Sequence, residues 1–359
     1  MLKIIDRYIL KRYLATFFVM LIMFIPIGII VDVAEKVNKM LAKNVPIDKI
    51  MLYYLDFTIY FANMLFPILL FLSVIWFTSK LANNTEIVAI LSSGISFGRF
   101  LRPYIIGASV VCVFAIIMGF FLVPNASKGY NDFRYTYLKS GSDIRQSQDV
   151  YRQISQNEFI YVSNFVYSSK TGYDFSYTKF KDNKIDHKIS ASRIKFNESD
   201  TTYTLYSYKK RTIGELDDVL ESENKKIMKF DFDVDDLTPV IYAAETMTLK
   251  ELDDFIEKEK VRGSSNINTY EVVKYRRYSI PISAFILTII AVSVSSIKRR
   301  GGMGVNLAIG IMLAFTYIFF DKIFGTLAEK SSISPMLAVW LPNITYGILA
   351  FFLLRNAKR

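Results

Sequence analysis

Leu14–Val31 reads LATFFVMLIMFIPIGIIV, 18 residues without a single charge. At ~1.5 Å rise per residue, a helix of that length covers most of the ~30 Å hydrocarbon layer of a bilayer. Five further uncharged apolar runs follow: Phe57–Ser79, Pro103–Ser127, Tyr278–Ile297, Met303–Phe320 and Ser331–Leu354. A backbone in lipid must satisfy its own N–H and C=O groups, so each run is expected to be a helix. The runs divide three and three around a polar insert. The expected fold is therefore an α-helical membrane protein with six transmembrane helices and an inserted all-β, jellyroll-like domain between helices 3 and 4. The expected division is an N-terminal membrane half (1–127), the β-domain with a short C-terminal helix (128–265) and a C-terminal membrane half (266–359).

The formal charge of +11 over 359 residues is unevenly spread. Residues 125–270 hold 22 Lys/Arg and 24 Asp/Glu, leaving 22 basic and 9 acidic residues, a net +13, to the membrane part. That distribution speaks against nucleic acid as a partner and for basic juxtamembrane segments. Cys112 is the sole cysteine, so no intrachain disulfide forms. Basic residues ahead of Leu14–Val31 imitate a signal peptide, but the run is long and no A-x-A-like site follows, so a retained first helix is expected.

With six spans both termini share a side. Lys3, Arg7, Lys11, Arg12, Lys80, Arg99, Arg102, Lys298, Arg299, Arg300, Arg355, Lys358 and Arg359 mark that side as cytoplasmic, which puts the insert opposite. Leu2, Ile5, Ile9 and Tyr13 fall on one face, predicting an interfacial helix that leads into the first span. Beyond that span, Asp32 and Glu35 precede Lys36, Lys39, Lys43 and Lys49. Lys36, Lys39 and Lys43 recur at i, i+3 and i+7, one stripe if the helix continues. The stripe reads equally as a solvated, partly self-neutralised helix end or as a site for phosphates of an amphiphile.

In the insert, segments 158–167, 172–180, 188–196, 201–208 and 226–234 alternate with a two-residue period, separated by turns such as Asp182-Asn183 and 197–200. An antiparallel β-sandwich or jellyroll is expected. Thr248-Leu249-Lys250-Glu251 reads as a capping box opening a helix to about Lys260, with Gly263 and Ser264-Ser265 as a hinge into the fourth span.

No catalytic constellation or cofactor site is expected. His187 is the only histidine and G-x-x-x-x-G-K-[ST] is absent, so work against a gradient would need an energy-supplying partner. Asp32, Asp56 and Asp321 lie at or beyond the ends of apolar runs, which argues against proton coupling. Between spans two and three, the stretch 83–94 (NNTEIVAILSSG) predicts a short amphipathic helix over about 84–94, capped by Thr85 or Asn84 and ended by Gly94. Ile87, Ile90 and Leu91 form its apolar face and Glu86 stands near its start, a pattern suited to plain interfacial packing or to plugging into a motor protein.

Asp6-Arg7-Tyr8, the loop from Thr85-Glu86-Ile87-Val88 to Ser93-Gly94-Ile95-Ser96, and Met247–Leu252 together resemble the LptF/LptG (YjgP/YjgQ) lipopolysaccharide export permeases. Phe320–Gly325 and Leu341-Pro342-Asn343 lie closer to the LptG side of that family. The resemblance implies a non-catalytic transmembrane subunit of an ABC transporter in the inner membrane, with its soluble domain in the periplasm. It implies a second LptF/LptG-type permease, an LptB-type ATPase dimer, and LptC- and LptA-type periplasmic proteins as partners, with lipopolysaccharide as cargo. It also implies an ATPase contact at Glu86 with Ile87, Ile90 and Leu91, phosphate contacts at Lys36, Lys39, Lys43 and Arg134, and lateral gates at the first and fifth spans. Two readings compete: a permease for another lipid or a lipoprotein, and a membrane scaffold or sensor without transport.

Overall fold

A computed structural model describes residues 3–138, 148–166, 169–182, 184–197, 200–214, 217–232, 234, 242–264, 266–297, 302–330 and 333–357. Expectations at Leu2, 167, Asn183, 198–199, 233, Ser265, 298–300, 331–332 and 358–359 fall outside the described residues. The chain forms two compact units, Met1–Tyr130 with Glu271–Arg359, and Asn131–Tyr270.

The first unit is helical: α1 (Ile4–Ala42), α2 (Ile47–Asn83), the short α3 (Glu86–Ser92), α4 (Phe97–Ile117), and, after the inserted domain, α8 (Ile267–Ser295), α9 (Gly302–Lys330) and α10 (Pro335–Ala357). A π-turn at Met118–Leu122 carries α4 into α5 (Val123–Phe133), and a second π-turn spans Arg134–Leu138. Among the described residues, six helices are long and apolar enough to cross a membrane. The structure merges the expected interfacial helix with the first span, because Ile9, Tyr13, Phe17 and Leu21 recur every fourth residue as one buried stripe. The helix also continues past Val31 to Ala42, carrying the lysine stripe with it.

Apolar burial cannot drive helix association in lipid, whose tails are as apolar as leucine, so close approach and polar links matter more. At Gly107 an added Cβ would fall 2.6 Å from the Tyr13 ring, so only glycine admits that ring. Tyr13 Oη then pairs with Thr288 Oγ1 at 3.0 Å, joining α1 to α8. Thr78 donates to Tyr104 Oη at 3.1 Å between α2 and α4. Asn343 on α10 accepts from Tyr317 Oη of α9 at 2.9 Å and donates to Ser279 Oγ of α8 at 2.8 Å. Arg276 of α8 lies 3.5 Å from the Asp321 carboxylate and packs on Gly325, where a Cβ would sit 2.2 Å from its Nη2. The Phe320–Gly325 and Leu341–Asn343 segments are thus the places where the last three spans lock together.

The second unit carries an antiparallel sheet in chain order: β1 (Gln148–Ser155), β2 (Glu158–Val166), β3 (Thr171–Lys181), β4 (Lys184–Asn197), β5 (Thr202–Thr212) and β6 (Val219–Met228). Each strand pairs with its sequence neighbour, an up-and-down course. Ile160, Val162, Phe175, Tyr177, Ile189, Ala191, Ile194, Tyr203 and Leu205 form its buried face. The strand expected over 226–234 ends at Met228. Beyond it, Phe230 and Phe232 turn under the sheet, stacked on each other at 4.9 Å, and Tyr203 Oη donates to the Phe232 carbonyl at 2.9 Å. Their alternation reflects packing on that core rather than a ladder.

After α6 (Ala243–Thr246), the predicted helix appears as α7 (Leu249–Val261), with Glu251 Oε2 accepting from both the Thr248 N–H and its hydroxyl at 2.8 Å. Arg152 of β1 forms a buried ion pair with Glu259 of α7, the two side chains 6% and 1% exposed. The Gln153 N–H donates to the Arg262 carbonyl at 2.7 Å, so α7 is strapped along the β1 edge.

Candidate functional site

Two places in the helical unit hold the residues singled out from the sequence, Arg134 excepted. At the cytoplasmic end, α3 lies between α2 and α4. Thr85 does not cap it: its φ is +60°, its hydroxyl donates back to the Asn84 carbonyl at 2.6 Å, and no side-chain cap is made. Gly94, at φ +87°, does end the turn as expected, in a conformation a Cβ would strain. Ile87 is 1% exposed, and Ile90 and Leu91 are half-buried against the same core. This apolar face is therefore consumed by the chain's own helices, and Val88, Ala89 and Ser92 are the exposed residues of α3.

The Asp-Arg-Tyr segment explains how α3 is held. Asp6 is buried and accepts a two-pronged contact from Arg99 at the start of α4, Nη1 to Oδ1 at 2.8 Å and Nη2 to Oδ2 at 2.6 Å. The same carboxylate accepts from the Lys3 N–H at 2.8 Å, closing the first turn of α1. Planar guanidinium and carboxylate match in this fork, so the contact orients as well as attracts. Two residues on, Tyr8 Oη donates to Glu86 Oε2 at 3.2 Å, and Asn84 Nδ2 donates to Glu86 Oε1 at 3.3 Å. The Arg12 guanidinium sits over the Tyr8 ring at 5.5 Å. The start of α1 thus grips both ends of the loop. Sequence reading named Asp6, Tyr8 and Glu86 without pairing them, and spacing alone carries no signal that residues 78 apart meet.

At the other end of α1 the three lysines part company. Lys36 turns inward: its ammonium pairs with Asp32 and donates to Tyr53 Oη of α2 at 3.1 Å. Tyr53 donates to the second Asp32 oxygen at 3.0 Å and stacks on Tyr130 of α5 at 5.5 Å. Asp32 is 7% exposed and Tyr53 is buried, so the group is a neutralised cluster inside the helical unit. Lys39, Lys43 and Glu35 are exposed. Arg134 opens the second π-turn and is half-buried within the other unit. Tyr53 was missed from sequence, where it is one of many aromatics in an apolar run.

The comparisons with known proteins follow the same lines. A profile described as "Lipopolysaccharide export system permease LptF/LptG" matches residues 7–356. The chain is 19% identical over 360 residues to the lipopolysaccharide export system permease protein LptG of Haemophilus influenzae, covering all of both chains. It is 19% identical over 353 residues to the LptG protein of Escherichia coli K12, covering 98% of each. With six membrane-spanning helices around an inserted β-sheet and a match over nearly its whole length, this chain belongs to the LptF/LptG family of lipopolysaccharide export system permeases.

Proposed function

We propose that this chain is the permease subunit that draws lipopolysaccharide out of the inner membrane and passes it to a periplasmic bridge, within an ABC transporter whose ATPase is a separate chain. The observation that carries this reading is the family match across residues 7–356. The protein is a multi-pass inner-membrane protein of a permease family, not a family of catalysts. The partners that fit are an LptB-type ATPase dimer below α3, a second LptF/LptG-type permease beside it, and LptC- and LptA-type proteins receiving the lipid.

The geometry supports a division of labour. Glu86, held by Tyr8 and Asn84, sets the pitch of α3, and Val88 and Ala89 present its free side to the ATPase. Ile87, Ile90 and Leu91 transmit the push into the helical core, against which they already pack. Exposed apolar residues along α1 (Ile22, Met23, Ile27, Ile30) and α9 (Met312, Phe315, Phe319) suit gates that face lipid or the second permease. Lys39 and Lys43, both exposed, are taken as contacts for phosphates of the entering lipid, and Arg134 of the other unit as a separate candidate contact.

Purification of the membrane complex through a tagged chain tests the scheme. A co-purifying nucleotide-binding subunit and a lipid of lipopolysaccharide mass are expected, and absence of the ATPase would favour a scaffold instead. Glu86→Lys should leave the complex assembled but separate ATP turnover from lipid release. Full transport by that variant would remove Glu86 from the coupling role.

A further inference from the structure

The stripe Lys36, Lys39, Lys43 presents three cations in sequence, yet only two of them are open in the folded chain. Lys36 is 15% exposed, against exposed Lys39 and Lys43. Its ammonium is satisfied twice over, by the Asp32 carboxylate one turn below and by Tyr53 Oη at 3.1 Å. The Asp32 carboxylate does not depend on Lys36 alone, because Tyr53 Oη donates to its other oxygen at 3.0 Å. A buried carboxylate left with no donor is strongly disfavoured, and one that keeps a phenol donor is less so. Tyr53 itself is fixed, stacked on Tyr130 at 5.5 Å. The parts that can move are the four-carbon stem and ammonium of Lys36, which lie at the edge of the cluster. Lys39 is three residues on along the same helix, so its Cβ is about 5–6 Å from that of Lys36. A phosphate resting on Lys39 is therefore within reach of a swung-out Lys36.

We propose that Asp32, supported by Tyr53, is an internal counter-ligand that occupies Lys36 until a lipid phosphate on Lys39 competes for it. The proposal rests on the reading of the outer lysines as phosphate ligands and adds a regulatory step to it. Lys39 and Lys43 make the first contact, Lys36 exchanges a carboxylate oxygen for a phosphate oxygen, and Asp32 takes it back when the lipid moves on. Asp32 is thus a positioning residue that keeps binding reversible. The ligand chemistry it polices is a phosphate monoester or diester at the head of an amphiphile.

The test uses the full-length chain in detergent micelles, with binding read by native mass spectrometry. It is titrated with lipopolysaccharide, enzymatically dephosphorylated lipopolysaccharide, phosphatidylglycerol and inorganic phosphate. Asp32→Asn, which keeps an acceptor for Tyr53, should tighten binding of phosphorylated lipopolysaccharide by about fivefold, the factor one freed lysine adds at an anionic lipid surface. Dephosphorylated lipopolysaccharide should show no gain, a contrast that a merely structural role would not produce. The gain should vanish in Asp32→Asn with Lys36→Met. A gain with inorganic phosphate alone would identify a soluble anion as the ligand and overturn the lipid assignment. Unchanged or weaker binding by a folded Asp32→Asn protein, or a gain that survives loss of Lys36, overturns the proposal. Lys39→Ala and Lys43→Ala separate the two failures. If both weaken phosphate binding while Asp32→Asn does nothing, the phosphate site stands and only the counter-ligand falls. If neither matters, the site itself is lost.

Discussion

Substituting Glu259 by glutamine should loosen the strap between α7 and the β1 edge. Glu259 and Arg152 are 1% and 6% exposed, so the pair is shielded from water on both sides. Removing one charge from a buried pair typically costs about 3–5 kcal/mol, because the remaining ion is left uncompensated. Glutamine keeps one acceptor for Arg152, which places the expected cost near the lower end, about 3 kcal/mol. At about 1.4 kcal/mol per factor of ten, amide exchange in β1 and α7 should quicken by about two decades if these segments open locally. Hydrogen exchange with mass readout on the full-length protein measures this, with β4 and β5 as internal references. The Glu259→Leu, Arg152→Met double variant should recover most of the protection, since a buried pair replaced by apolar side chains is often near neutral. Equal exchange in wild type and Glu259→Gln would refute the reasoning, as would a double variant worse than either single one.

Three further outcomes are expected. Asp6→Asn should break the two-pronged contact with Arg99 and free the first turn of α1, read as faster exchange there and reduced coupling of ATP turnover to lipid release; normal coupling would deny the grip on α3. Asn343→Ala removes the bonds to Tyr317 and Ser279, each worth about 0.6 kcal/mol between membrane helices, so the detergent-solubilised protein should lose about 2 kcal/mol, checked by thermal unfolding. Lys39→Glu with Lys43→Glu should weaken photocrosslinking to a phosphorylated glycolipid by about thirtyfold or more, from about 1 kcal/mol per lysine lost; unchanged crosslinking would clear both residues of that role.

Much of the fold was legible because lipid imposes a one-dimensional rule. A charge inside the hydrocarbon is costly wherever the segment packs, so charge-free runs announce spans before any contact is known. The α7 start was equally legible, since Thr248 and Glu251 meet within one turn. β1 and most of β6 were not. β6 reads VLESENKKIM and is almost wholly exposed at the sheet edge, so no buried face imposed alternation on it. The clear alternation at Met228–Val234 misled for the converse reason: Phe230 and Phe232 are spaced to reach a core, not to join a ladder.

The sequence by itself determined the six spans, their split around a β-insert, the cytoplasmic side and, through its motifs, the family. All of these follow from composition and from neighbours within a turn or two. Only the tertiary structure decided that Lys36 faces Asp32 and Tyr53 while Lys39 and Lys43 face out, that Ile87 is core, and that Tyr8 and Asp6 clamp opposite ends of one loop. Apart from the local contact of Lys36 with Asp32 one turn away on α1, those pairings join residues on different helices. Their partners are chosen by how the helices pack, a relation that spacing along the chain does not encode.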